Sequence, residues 1–129
     1  MSDSVSMGNW LTKTRTVEQR DFMIDIDAMS PAERDQYIRN MALAAFVEIG
    51  ELLQSLNWKP WHTGHIESSD TAEWQQAVEE TVDVLHFIAL IAAALHITDA
   101  NLAAAYEEKL RVNAARQQEQ RSAVRASQQ

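Results

Sequence analysis

Ten residues near the middle of the chain restrict its fold more than any others. Ala44-Ala45-Phe46-Val47-Glu48-Ile49-Gly50-Glu51-Leu52-Leu53 is an apolar run broken by two carboxylates three residues apart, and Glu80 and Asp83 repeat that spacing downstream. Residues three apart on an α-helix stand about 60° apart around its axis, so each pair projects from one face. The stripe running back from Glu48 meets Ala44, Met41 and Tyr37, while that of Glu80 and Asp83 meets Gln76, Phe87 and Leu90. Both acid pairs are therefore expected to point where the side chains are otherwise apolar. An unpaired buried carboxylate costs several kcal/mol even after relaxation, so four converging acids need cations. The expected site is a polynuclear Mg²⁺ centre between two helices. Its hard oxygen ligands suit Mg²⁺ or Mn²⁺ rather than Zn²⁺.

The rest of the chain favours helices around that centre. Three glycines and two prolines in 129 residues, with 46% hydrophobic side chains, describe an all-α protein. The expected architecture is one domain, a bundle of four to five helices completed by dimerisation, with residues 1–14 and 118–129 flexible. Cysteine is absent, which removes disulfides and thiolate metal sites. No apolar run reaches the roughly 18 residues of a membrane span, and Met1–Ser4 lacks the order of a signal peptide. A soluble, cytoplasmic protein is the expectation. The formal charge of −8 is uneven: residues 1–106 carry six Lys/Arg against sixteen Asp/Glu, residues 107–129 five against three. An acidic surface argues against duplex nucleic acid as a partner, whereas small phosphorylated ligands remain accessible where cations reverse the local field.

Taken in order, Trp10 and Leu11 are candidate anchors in a loose N-terminus, and Thr16–Ala28 is expected to form the first helix. Ser30-Pro31-Ala32-Glu33 is a capping box that opens a second helix running to about Leu56. Gly50 costs that helix about 1 kcal/mol relative to alanine; it is either tolerated or marks the close approach of another backbone or a hydrated metal cluster. Residues 57–69 form a loop in which Trp58 and Trp61 either plug the bundle end or, with Lys59, contact a base and a phosphate. Asp70 is expected to cap a third helix from about Thr71 to Leu95. Apolar nearly all round from Val84 to Leu95, it should be buried on every side, which in so small a protein calls for a partner chain. Thr98 or Asp99 can cap a fourth helix from about Ala100 to Gln120, with an inward stripe of Leu102, Tyr106, Lys109, Leu110, Asn113 and Arg116. Lys109, Asn113 and Arg116 share one face, as donors suited to phosphate oxygens or as a solvated surface.

The residues resemble a known pattern. Glu48-x-x-Glu51 and Glu80-x-x-Asp83, separated by an aromatic loop, are similar to the metal-binding signature of the all-α nucleoside triphosphate pyrophosphohydrolases. Lys59-Pro60-Trp61, the His86-Phe87 pair after the second acid motif, and Tyr106, Lys109, Asn113 and Arg116-Gln117 narrow the resemblance to the dimeric dUTPase family. It covers roughly residues 37–117. The resemblance implies that Glu48, Glu51, Glu80 and Asp83 bind two or three Mg²⁺, with one acid also orienting the attacking water. It implies that Trp61 lies against uracil, that Lys109, Asn113 and Arg116 hold phosphates, and that Gln19 corresponds to a uracil-reading glutamine. Pro60 departs from the family's usual aromatic, and Gln118-Glu119 replace its Gly-Tyr.

The implied reaction is Mg²⁺-dependent hydrolysis of dUTP to dUMP and pyrophosphate by a homodimer. The alternative within the superfamily is a pyrophosphohydrolase for dCTP, a modified pyrimidine or several nucleotides. A carboxylate-bridged di-iron bundle would need Glu-x-x-His on two helices, and only Asp83-Val84-Leu85-His86 approximates it, once. A helical interaction module with merely solvated acids would show no response to Mg²⁺. His62, His65 and His96 have no convincing metal-ligand spacing.

Overall fold

The computed structural model describes residues 8–61 and 71–128. They form helix α1 (Trp10–Asp21), a short 3₁₀ turn (Ile26–Ala28), α2 (Pro31–Ser55), α3 (Ala72–Ala94) and α4 (Asp99–Ser127). The chain is all-α, as the composition requires. No single helix among the described residues is long and apolar enough to cross a membrane.

α2 and α3 form an antiparallel hairpin: Tyr37 shares a cluster with Leu90, Ala93 and Ala94, whereas Leu52 and Leu56 meet Trp74 and Ala77. The Ser30 hydroxyl accepts the Glu33 N–H at 3.3 Å, and the Glu33 carboxylate accepts the Ser30 N–H at 2.8 Å, closing the expected box. α3 is capped one residue later than expected, by the Thr71 hydroxyl accepting the Trp74 N–H at 3.2 Å. Asp70, His62 and His65 lie outside the described residues. α3 ends in a Schellman turn, with the Ile97 N–H on the Ala92 carbonyl and the His96 N–H on that of Ala93. His96 takes the left-handed conformation (φ 57°) that glycine usually fills there.

The first helix lies earlier than its sequence suggests. α1 spans Trp10–Asp21 rather than Thr16–Ala28, for two reasons. Phe22, Ile24 and Ile26 are spaced by two rather than by three or four, and Ile26 is 3% exposed in the cluster with Tyr37 and Leu90. That stretch therefore serves the core as a bent segment, turned by Met23 at φ 57°. At the other end, the Asp99 carboxylate accepts the Leu11 and Thr12 N–H groups at 2.8 and 3.1 Å and the Thr12 hydroxyl at 2.6 Å. A residue nearly ninety positions away thus caps α1. Leu11, the expected anchor, is buried against Ala89 and Ala92.

The core is small and alanine-rich: Ala89, Leu90, Ala92, Ala93 and Ala94 are the buried residues of α3. The Tyr37 hydroxyl reaches the buried Glu18 carboxylate at 3.4 Å, and burial, then the Glu18 charge, raises the phenol's pKa. The expectation that α3 is enclosed from Val84 to Leu95 is not met within this chain, since Leu85, Ile88 and Leu95 are exposed. α4 departs furthest from expectation. It continues to Ser127 rather than stopping near Gln120, and it contains no buried residue. Tyr106 and Leu110 of its expected inward stripe are more than half exposed; among the described residues, Leu102 alone of that stripe packs on the body, beside Leu11. The chain turns by 110° between α3 and α4, which carries α4 away from the hairpin.

A candidate metal centre between α2 and α3

Glu48 stands half-buried on the face of α2 that meets α3, one turn from Leu52 and three from Tyr37. Glu80 and Asp83 approach it from α3. One carboxylate oxygen from each of Glu48, Glu80 and Asp83 lies within 4.8 Å of the other two. Burial in the hairpin, then the charges of Glu51, Asp83 and Glu80 and a hydrogen-bonding contact with Glu80, raise the Glu48 carboxyl above its ordinary value. Glu51 is exposed beside this trio rather than part of it. Among the described residues, no ion pair reaches any of the four acids. Three oxygens this close with no cation opposing them make a donor set that fits a hard divalent ion.

Of the remaining expected site residues, Gln19 and the α4 donors stand away from this centre within the chain. Gln19 is exposed on α1 next to Glu18, which meets Tyr37. Tyr37 precedes Glu48 by eleven residues, about 16 Å of helical rise. Trp58 and Trp61 are both exposed, so neither plugs the bundle; the Lys59 ammonium sits over the Trp61 ring at 5.6 Å. Lys109, Asn113 and Arg116 are exposed on α4. With α4 turned by 110° from α3, about nine-tenths of its length runs sideways, so Arg116 ends about 24 Å off the line of α3. Gly50 faces away from the acids, and a Cβ there would meet nothing within 4 Å. Among the described residues, no close approach explains that glycine.

An aromatic that drew no attention in the sequence has a more defined setting. Trp74 is half-buried in a groove of about 480 Å³ lined by Leu52, Leu56, Ala77, Val78, Thr81 and Val82. Its spacing of three, four, seven and eight to the α3 members was the available signal. The groove continues a single stripe of α3: Trp74, Val78, Thr81, Leu85, Ala89 and Ala92. α1 covers its last two members, while Val78 and Leu85 are exposed. Asp83 stands about 180° and Glu80 about 120° around the helix from Trp74, so neither acid lies on the uncovered stripe.

The dUTPase family model matches residues 14–97, which include most of α1 and all of α2 and α3 with their four acids; α4 follows the matched segment. No curated protein and no solved structure matches the chain. With nearly two-thirds of its length matched and an all-α fold built on the acid-bearing hairpin, the chain belongs to the dUTPase family of all-α nucleoside triphosphate pyrophosphohydrolases.

Proposed function

We propose that the protein hydrolyses dUTP to dUMP and pyrophosphate in a Mg²⁺-dependent reaction. The observation that carries the proposal is the convergence of Glu48, Glu80 and Asp83 oxygens within 4.8 Å and without a cation, on the hairpin that the family model covers. These three residues would hold the ion, with Glu51 completing the set or orienting the attacking water. Bound there, Mg²⁺ would offset phosphate charge and lower the pKa of a coordinated water. Burial, and after it the charges of Glu51, Asp83 and Glu80, raise the Glu48 carboxyl, and a cation held there would oppose both. Beyond the end of α2, the exposed Trp61 and the half-buried Lys59 would meet the base and a phosphate, and Gln19 would read the uracil edge. Release of pyrophosphate from a panel of deoxynucleoside triphosphates in Mg²⁺ tests the reading. dUTP should be turned over fastest; preference for dCTP or a modified pyrimidine would keep the chemistry and change the substrate.

The working unit on this reading is a homodimer. The exposed part of the α3 stripe, and a second, smaller groove where Phe46 and Ile49 meet Ile88 and Ile91, need an apolar cover like the one that α1 gives the stripe's far end. A second hairpin supplies that cover and leaves the acids open on the other flank. Lys109, Asn113 and Arg116 of α4, too far aside to serve their own chain's acids, would hold the phosphates at the second copy's site. Charge favours that exchange: residues 109–129 carry five Lys/Arg and one Glu, whereas residues 44–83 carry eight acids and one lysine.

A further inference from the structure

We infer that Asp99 is a positioning residue: its carboxylate, by clamping the start of α1, fixes the direction in which α4 presents its donors. The inference rests on the proposed role of Lys109, Asn113 and Arg116 at phosphate, but the joint itself stands on geometry. Asp99 is the first residue of α4, and its local cap is provided by others: the Thr98 hydroxyl accepts the Asn101 N–H at 3.1 Å, and the Asn101 side-chain oxygen accepts the Thr98 N–H at 3.1 Å. Asp99 is therefore not needed to start its own helix. Both of its oxygens turn to α1 instead, one to the Leu11 N–H, the other to the Thr12 N–H and hydroxyl.

A carboxylate held at three points by a helix N-terminus is a rigid fixture, because the donors there have no intrahelical partners and the helix dipole favours the negative charge. Partial burial on its own would raise the Asp99 carboxyl, but the Thr12 hydroxyl and the Leu11 and Thr12 amides outweigh it and hold the group below its ordinary value. α4 has little else to steer it. Among the described residues of its own chain its only contact with a buried cluster is Leu102, in the first turn, and none of its residues is buried. A long lever on a short root amplifies any play. Arg116 lies about 25 Å from Asp99 along the axis, so a 10° tilt at the root displaces it by about 4 Å. That exceeds the tolerance of a hydrogen bond to a phosphate oxygen.

The chain has no cysteine, so paired spin labels can be placed at Asp35→Cys on α2 and Arg121→Cys on α4, diluted with unlabelled chain. The label–label distance should be narrowly distributed in the otherwise wild-type protein, broad in Asp99→Ala, and partly narrowed again in Asp99→Asn, which keeps one acceptor. In Mg²⁺, Asp99→Ala should raise KM for the triphosphate about tenfold with kcat nearly kept, because binding contacts are misplaced while the acids are untouched. Mg²⁺ binding without nucleotide should not change. An unaltered distance distribution in Asp99→Ala would overturn the joint, and so would loss of kcat and Mg²⁺ binding together with helicity. A broadened distribution with unchanged KM would overturn the positioning role. Absence of hydrolysis in the wild-type protein would instead count against the pyrophosphohydrolase reading, with the label distances still deciding on the joint.

Discussion

Assayed well below KM, a dimer that pairs an Asp83→Asn chain with a Lys109→Ala chain should hydrolyse its substrate at half the wild-type rate, although each variant alone should be slowed about tenfold or more. The figure of one half follows from where the structure puts the two groups. Asp83 lies on α3 eleven residues before the helix end, about 16 Å back along the axis, while Lys109 lies ten residues into α4, about 15 Å out. The 110° turn between those helices sends the lysine sideways, and a side chain does not close the gap. If the acids of one copy work with the donors of the other, the mixed dimer has one site with both defects and one with neither. If each site is built from a single chain, both sites carry one defect, and the mixed dimer is as slow as its parents. Two affinity tags and tandem purification isolate the mixed dimer, and pyrophosphate release in Mg²⁺ reports its rate. Parental activity in a dimer whose wild-type counterpart is active would refute the exchange of α4.

Other expectations concern the acids, the glycine and the cap. Glu48→Gln should abolish Mg²⁺-dependent hydrolysis while leaving the far-ultraviolet circular dichroism unchanged, and Mg²⁺ should raise the melting temperature of the wild-type protein but not of the variant. Gly50→Ala should stabilise the protein by about 1 kcal/mol in urea unfolding, since it removes a helix-interior glycine and the added methyl meets nothing. A loss of activity or of dimer in that variant would reveal a neighbour beyond the described residues. Asp99→Ala should cost about 1–2 kcal/mol, as for a lost helix cap. Because the Asp99 pKa is lowered in the folded state, that contribution is present above the unfolded value of about 4 and fades as pH falls through the folded one. The difference in stability between wild type and Asp99→Ala should thus be constant above about pH 5 and shrink in stronger acid; a gap that widened on acidification would contradict the hydrogen bonds.

What the sequence makes legible here is local. Ser30, Pro31 and Glu33 contain a whole helix start within four residues, and the structure forms it with both expected bonds. The acid pairs are also local statements about two helix faces, and the hairpin brings three of their four members together. α1 fails this test because its start is defined by Asp99, at the far end of α3. No pattern in residues 8–21 announces that cap, and the alternating Phe22, Ile24 and Ile26 look enough like helix to draw the boundary downstream. The end of α4 departs from its sequence pattern for a related reason. Gln-, Ser- and Arg-rich composition resembles a frayed tail, yet Gln and Arg are good helix formers, and the helix runs on to Ser127.

The apolar character of α3 shows how one sequence pattern can merge two separate surfaces. Read along the chain, Val84–Leu95 is apolar almost without interruption and suggests uniform burial. In the structure it divides by angle. Leu90 and Ala94 face the cluster around Tyr37 and Ile26, Ala89 and Ala92 face Leu11 of α1, and Leu85 and Ile88 remain open. The open residues extend toward Trp74 on a flank that avoids Glu80 and Asp83. A helix arranged in this way can complete its core against another copy without covering the carboxylates that give the hairpin its chemistry. Had the acids stood on the uncovered stripe, the same association would have buried them against apolar side chains at a cost of several kcal/mol each. The separation of the acids from the open stripe by about a third to a half of a helical turn is therefore what allows assembly and a cation-dependent site to coexist on the same two helices.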